Sequence, residues 1–85
     1  MTFSEIKPEL MRAIEECRAL AVPQTDFDEL VEFMEEGEAE VAFTFLTSKL
    51  VDFQVVVSKA TYETLAKVGS AMRINPLYWS GILTK

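Results

Sequence analysis

Residues 26–53 read DFDELVEFMEEGEAEVAFTFLTSKLVDF, and this stretch decides the fold. Phe27, Leu30, Val31 and Met34 recur at steps of three or four, the spacing that puts apolar side chains on one face of a helix. Asp26 followed by Glu29 forms a capping-box pattern, so Thr25 or Asp26 is expected to open this helix. Gly37 is placed to stop it in a left-handed conformation. Beyond Gly37 a second helical pattern runs from about Glu38 to Asp52, with Ala39, Ala42 or Phe43, Leu46, Leu50 and Phe53 inward. Val41 and Phe45 widen that face beyond what a surface helix needs, which marks this as the central helix.

The same periodicity extends in both directions. Upstream, Ile6, Leu10, Ile14, Cys17 and Ala21 form a stripe, with Ser4 as the expected N-cap and Pro8 near the first turn. Pro23 is expected to end that helix, leaving a short Val22-Pro23-Gln24 connection. Downstream, Val55-Val56-Val57 is the one strand-like stretch; with no evident partner it reads as an extended connection. Ser58 caps a further helix with Tyr62, Leu65, Val68 or Gly69 and Met72 inward, and Val57 and Tyr62 are spaced for a hydrophobic staple. Gly69 inside this pattern points to a close helix–helix approach. Asn75-Pro76 is an N-cap followed by proline, which starts a short helix through Leu83. Leu77, Trp79 or Tyr78, Ile82 and Leu83 would close one end. The expected fold is all-α: a single helical domain over residues 1–85, a four-helix bundle with a short fifth C-terminal helix.

Composition fits one such core. The chain has 85 residues, 49% of them hydrophobic, and a formal net charge of −6. A domain of this size buries roughly 60–65% of the surface its unfolded chain exposes, enough for a single core. Nucleic acid is not an expected ligand, because phosphate binding needs clustered lysine and arginine. Histidine is absent, which removes Ser-His-Asp and Cys-His catalysis and every His-containing zinc site. The single cysteine, Cys17, permits no internal disulfide, and its place in an apolar stripe makes it a core residue. No secretory signal is visible, and no apolar run approaches the roughly 20 residues that span a bilayer. A cytoplasmic protein without membrane contact is expected.

The charge is unevenly placed. Asp26, Asp28, Glu29, Glu32, Glu35, Glu36, Glu38 and Glu40 are eight carboxylates in fifteen residues, with no base among them; the other seventy residues carry eight bases against six acids. Glu29, Glu32 and Glu36 fall on one exposed face, flanked by Asp28 and Glu35. Like charges at this spacing each destabilise a helix by a few tenths of a kcal/mol. The segment lacks the alternating ligands and central glycine of a calcium loop, and a small helical domain offers little concavity for paired-carboxylate chemistry. No enzyme activity, metal or cofactor is expected. The segment reads either as a solvated, solubilising face or as a surface complementary to a basic partner, and the second is the expectation carried forward. Tyr78 and Trp79 are adjacent, so a helix cannot turn both inward; one of them is a candidate interface anchor.

One resemblance bears on the partner. The run Leu30-Val31-Glu32-Phe33-Met34-Glu35-Glu36-Gly37-Glu38, followed by Ala42-Phe43, resembles the core of MafI-like immunity proteins. Leu46, Lys49-Leu50, a valine-rich linker, Tyr62, Leu65, Gly69, Met72 and Trp79 follow in similar order, so the resemblance covers about two-thirds of the chain. It departs at Thr44-Phe45 and Thr47-Ser48, neutral positions where relatives often carry acids or amides. The resemblance implies a small cytoplasmic protein that neutralises a toxin of a bacterial polymorphic toxin or contact-dependent inhibition system. Several such toxins are nucleases, including EndoU-type RNases. It transfers no functional residue. On the residues alone, two alternatives stand beside it: an adaptor domain that binds a basic helix or tail, and a homodimeric structural subunit joined through the third helix. Without its partner the chain is expected to be a monomer or weak dimer.

Overall fold

The computed structural model describes residues 2–20 and 22–85, so the expectation for Ala21 lies outside the described residues. Among the described residues five helices and one minimal ladder make up the fold: α1 (Phe3–Cys17), α2 (Gln24–Glu35), α3 (Ala39–Asp52), β1 (Val56–Val57), α4 (Lys59–Ala71), α5 (Leu77–Ser80) and β2 (Leu83–Thr84). The all-α class holds. α1 packs against α2, α3 and α4; α3 also packs against α2 and α5, and α4 against α5. Leu10, Ile14, Phe27, Phe43, Leu46 and Leu65 are fully buried members of one continuous core.

Several boundaries differ from the sequence expectation. α1 begins at Phe3 with Thr2, not Ser4, in the cap position. Pro8 is the sixth residue of the helix, so it removes the bond to the exposed Ser4 carbonyl rather than sitting in the first turn. α1 stops at Cys17, well before Pro23, and the chain turns away through a bond from the Leu20 N–H to the Cys17 carbonyl. Pro23 instead stands at the cap of α2, which therefore starts at Gln24. The Asp26–Glu29 capping box does not form, because no side chain caps α2. Ser58 does cap α4, its Oγ accepting from the Thr61 N–H at 3.1 Å.

Three helices end in the same way. After α2, the Glu38 N–H reaches the Phe33 carbonyl and the Gly37 N–H the Met34 carbonyl, with Gly37 at φ 77°. This double bond pattern is a Schellman motif. It recurs after α3 with Gln54 at φ 50° and after α4 with Arg73 at φ 59°, where neither residue is glycine.

The C-terminal segment closes the fold. Trp79 is buried against Phe43 in an edge-to-face pair with centroids 5.8 Å apart. A Cβ on Gly69 would overlap both rings, so the glycine in α4 exists to admit Trp79. α5 ends at Ser80 instead of running through Leu83, because residues 83–84 pair in parallel with β1, Val56 opposite Leu83 and Val57 opposite Thr84. The Lys85 N–H extends the ladder to the Val57 carbonyl at 3.1 Å. The valines thus have a partner after all, supplied by a crossover through α4 and α5.

Candidate functional site

α2 displays the acidic segment outward because its core face is narrow. Phe27, Leu30 and Met34 point inward, and Asp28, Glu29, Glu32, Glu35 and Glu36 are all exposed on the remaining surface. Glu38 in the turn and Glu40 in the first turn of α3 are exposed as well. Among the described residues none of these seven has a basic group within ion-pair distance. The acids of α1 contrast with them: Glu9 is 2.7 Å and Glu16 3.9 Å from Arg12, and Glu15 is 3.0 Å from Arg18.

Local electrostatics disfavour this arrangement. Asp28–Glu32 and Glu32–Glu36 are like-charged i,i+4 pairs, and Glu29–Glu32 an i,i+3 pair. Glu35 and Glu36 also stand at the negative end of the α2 dipole, where a lysine would stabilise. Only Glu38 and Glu40, at the start of α3, sit where the dipole favours them. The helix survives through its buried face, since tertiary packing dominates helix stability in a domain.

Asp26 does not belong to the free face. It is half-buried, and Lys49 of α3 approaches it at 4.0 Å, the one base within ion-pair distance of the segment among the described residues. Lys49 also lies over two rings, 5.2 Å from the Phe45 centroid and 6.0 Å from that of Phe53. Phe33 of α2 meets Phe45 edge to face at 5.8 Å. Here the structure corrects the expected core. Phe43 is buried, Phe45 is half-buried and Phe53 is 47% exposed. Val41, Phe45, Lys49 and Phe53 form a continuous i,i+4 row on the α3 surface beside α2. Their spacing was the available signal; the excess apolarity of α3 concealed it.

Of the two aromatic candidates, Tyr78 is exposed and Trp79 is not, so Trp79 is withdrawn as a partner-binding residue: its ring fills the space left by Gly69. Tyr78 belongs to α5, which packs against α3 and α4, whereas the acidic strip lies on α2. α5 leads to Gly81, which faces Val51 of α3, whereas α2 touches α3 at Phe45. Those two positions lie about 120° apart around the helix at ~100° per residue.

Two further places bear on chemistry. An open cleft of about 470 Å³ lies where α4 meets β2, lined by Lys59, Tyr62, Glu63, Ser80, Ile82 and neighbours, so the surface is less smooth than expected. Glu63 is the one carboxylate in its lining. Cys17 is fully buried, and burial together with the neighbouring Glu16 carboxylate pushes its thiol up to about 11. A thiol of that acidity is not a nucleophile near neutral pH. Among the described residues no three acidic or thiol side chains converge as a metal site would require, and no helix is long and apolar enough to cross a membrane.

No family model matches the chain, and no curated protein or solved structure is significantly similar to it.

Proposed function

We propose that this protein is a cytoplasmic immunity protein that binds and occludes a bacterial toxin domain, a nuclease with a basic substrate groove. Its scaffold is read as a four-helix bundle whose end α5 closes. The supporting observation is the set of seven exposed carboxylates between Asp28 and Glu40 that, among the described residues, have no base within ion-pair distance. They are held on a helix whose own stability would be better served by interspersed lysines. An acidic helical surface can occupy a groove built for phosphates, and opposite charge speeds encounter, up to about 10⁸ M⁻¹s⁻¹ at low salt. The protein acts by binding, with no metal, cofactor or catalytic group of its own. The resemblance to MafI-like immunity proteins points the same way.

The test begins with the protein that co-purifies from the producing cell. That protein should degrade RNA or DNA, and this chain should abolish the degradation at stoichiometric ratio. Changing Glu29, Glu32 and Glu36 together to Gln should slow association at 50 mM salt, and the difference should shrink at 500 mM as screening shortens the field. A co-purifying protein that keeps its activity in the complex, or lacks nuclease activity altogether, would sink the reading.

A further inference from the structure

The row along α3 accounts for a feature the fold itself leaves over. Phe53 is 47% exposed and Phe45 only partly buried at the edge of the core, yet the sequence keeps aromatic rings at both positions, four residues either side of Lys49. Phe33, on α2, continues the row through its edge contact with Phe45. On α2 the carboxylates Glu29 and Glu36 stand four and three positions from Phe33, and so border the row on the surface of that helix, with Glu32 next to them further round. Val41, 43% exposed, extends it toward Glu38 and Glu40. The strip thus combines ring faces with carboxylates at their margin. That combination attracts a cation twice, through the ring quadrupole and through charge. The molecule already uses it once: the Lys49 ammonium lies over Phe45 and Phe53 while approaching Asp26.

We propose that this α2–α3 strip is the docking surface for an arginine- or lysine-bearing segment of a protein partner, whose cationic heads stack on Phe45 and Phe53 between the carboxylates of α2. The proposal rests on the toxin-binding reading and names its anchor. Glu29, Glu32 and Glu36 draw the segment in; the rings hold it. A charge-only surface would discriminate little between cations. A ring-lined one favours the planar guanidinium, which stacks as well as pairs.

The probe is a twelve-residue peptide of alternating arginine and alanine, titrated against the full chain with aromatic NMR signals and calorimetry as readouts. Shifts should concentrate on Phe33, Phe45 and Phe53. Phe45→Leu and Phe53→Leu, which keep apolar bulk without a ring face, should each weaken binding roughly two- to fivefold, with circular dichroism unchanged. Lys49→Met vacates the place over the rings and should tighten binding more than Lys59→Met, which removes the same charge elsewhere. The lysine version of the peptide should bind more weakly than the arginine version. If the Gln triple variant loses binding while the leucine variants and Lys49→Met do not depart from wild type and Lys59→Met respectively, the strip is not the dock. The electrostatic reading then stands without this anchor. If even the triple variant binds like wild type, both fall.

Discussion

Gly69→Ala isolates how the C-terminal segment is seated. Alanine in place of glycine in the middle of a helix ordinarily stabilises by about 1 kcal/mol. Here the added Cβ would lie 2.8 Å from Phe43 Cζ and 2.8 Å from Trp79 Cε3, with a second indole carbon closer still. Both rings are buried and fixed by their mutual edge-to-face contact, so neither can rotate away freely. Overpacking of this kind typically costs 1–3 kcal/mol, and two rigid neighbours place it at the upper end. Subtracting the propensity gain leaves a net loss of about 1–2 kcal/mol. Urea unfolding followed by circular dichroism should show it as a midpoint lowered by roughly 1 M, with an m-value near 1–1.5 kcal/mol/M for so small a domain. Trp79→Phe withdraws the distal indole ring, and in that background the penalty of Gly69→Ala should shrink. A midpoint raised by Gly69→Ala alone, or an equal loss in both backgrounds, would refute the claim that this glycine admits the tryptophan.

The helix ends and the buried thiol give further outcomes. Gln54→Gly and Arg73→Gly should each raise stability by roughly 0.5–1 kcal/mol, since both residues hold positive φ at the end of a Schellman motif; Gly37→Ala, at φ 77° with no atom within 4 Å of the new Cβ, should lose about 1 kcal/mol from backbone strain alone. Cys17 should stay unmodified by a thiol reagent at pH 8 until the chain is unfolded. Because its folded pKa is raised to about 11 from 9.0, the unfolded state loses its proton first. Stability from this group is therefore whole below pH 9 and falls between pH 9 and about 11, by up to roughly 3 kcal/mol at 1.36 per pH unit. Cys17→Ala should remove that alkaline decline, and its persistence in the variant would place the cause elsewhere.

What could be read from the sequence was the local part. Apolar spacing located four long helices, Ser58 announced its cap, Gly37 its left-handed stop and Gly69 its close neighbour. Each of these is decided within one or two helical turns. The failures share a different origin. Val56 and Val57 pair with Leu83 and Thr84, 27 positions away, and no local pattern reports a partner at that distance. Asp26 reads as a cap followed by Glu29, but Pro23 starts α2 earlier, leaving Asp26 inside the first turn and free to face Lys49. Tyr78 and Trp79 could not be separated until the small hole above Gly69 showed which ring it fits. Seven of the eight acidic positions were legible as an exposed face; Asp26, turned toward Lys49, was not. The aromatic border of that face was not either, because a helix rich in apolar residues hides which of them the core leaves unused.

The division of labour between faces follows from that last point. Phe27, Leu30 and Met34 are buried in the core and Phe33 packs at its edge, which leaves the acidic side of α2 exposed. An exposed helix surface drifts toward mixed charge, since Glu four positions before Lys is mildly stabilising and Glu before Glu is not. α1 shows the ordinary result, with Arg12 and Arg18 set among Glu9, Glu15 and Glu16 at ion-pair distance. α2 has the same geometry and the opposite outcome: no base within its length, and two glutamates at the end where its dipole opposes them. Among the described residues only Lys49 from the neighbouring helix comes within ion-pair distance, and it does so at Asp26, from its place over the rings of Phe45 and Phe53. The repulsion left on Glu29, Glu32 and Glu36 is relieved once positive charge is brought to them from outside. A basic partner of the kind proposed would therefore gain twice on this face, from its own attraction and from the relief of repulsion among the carboxylates it covers.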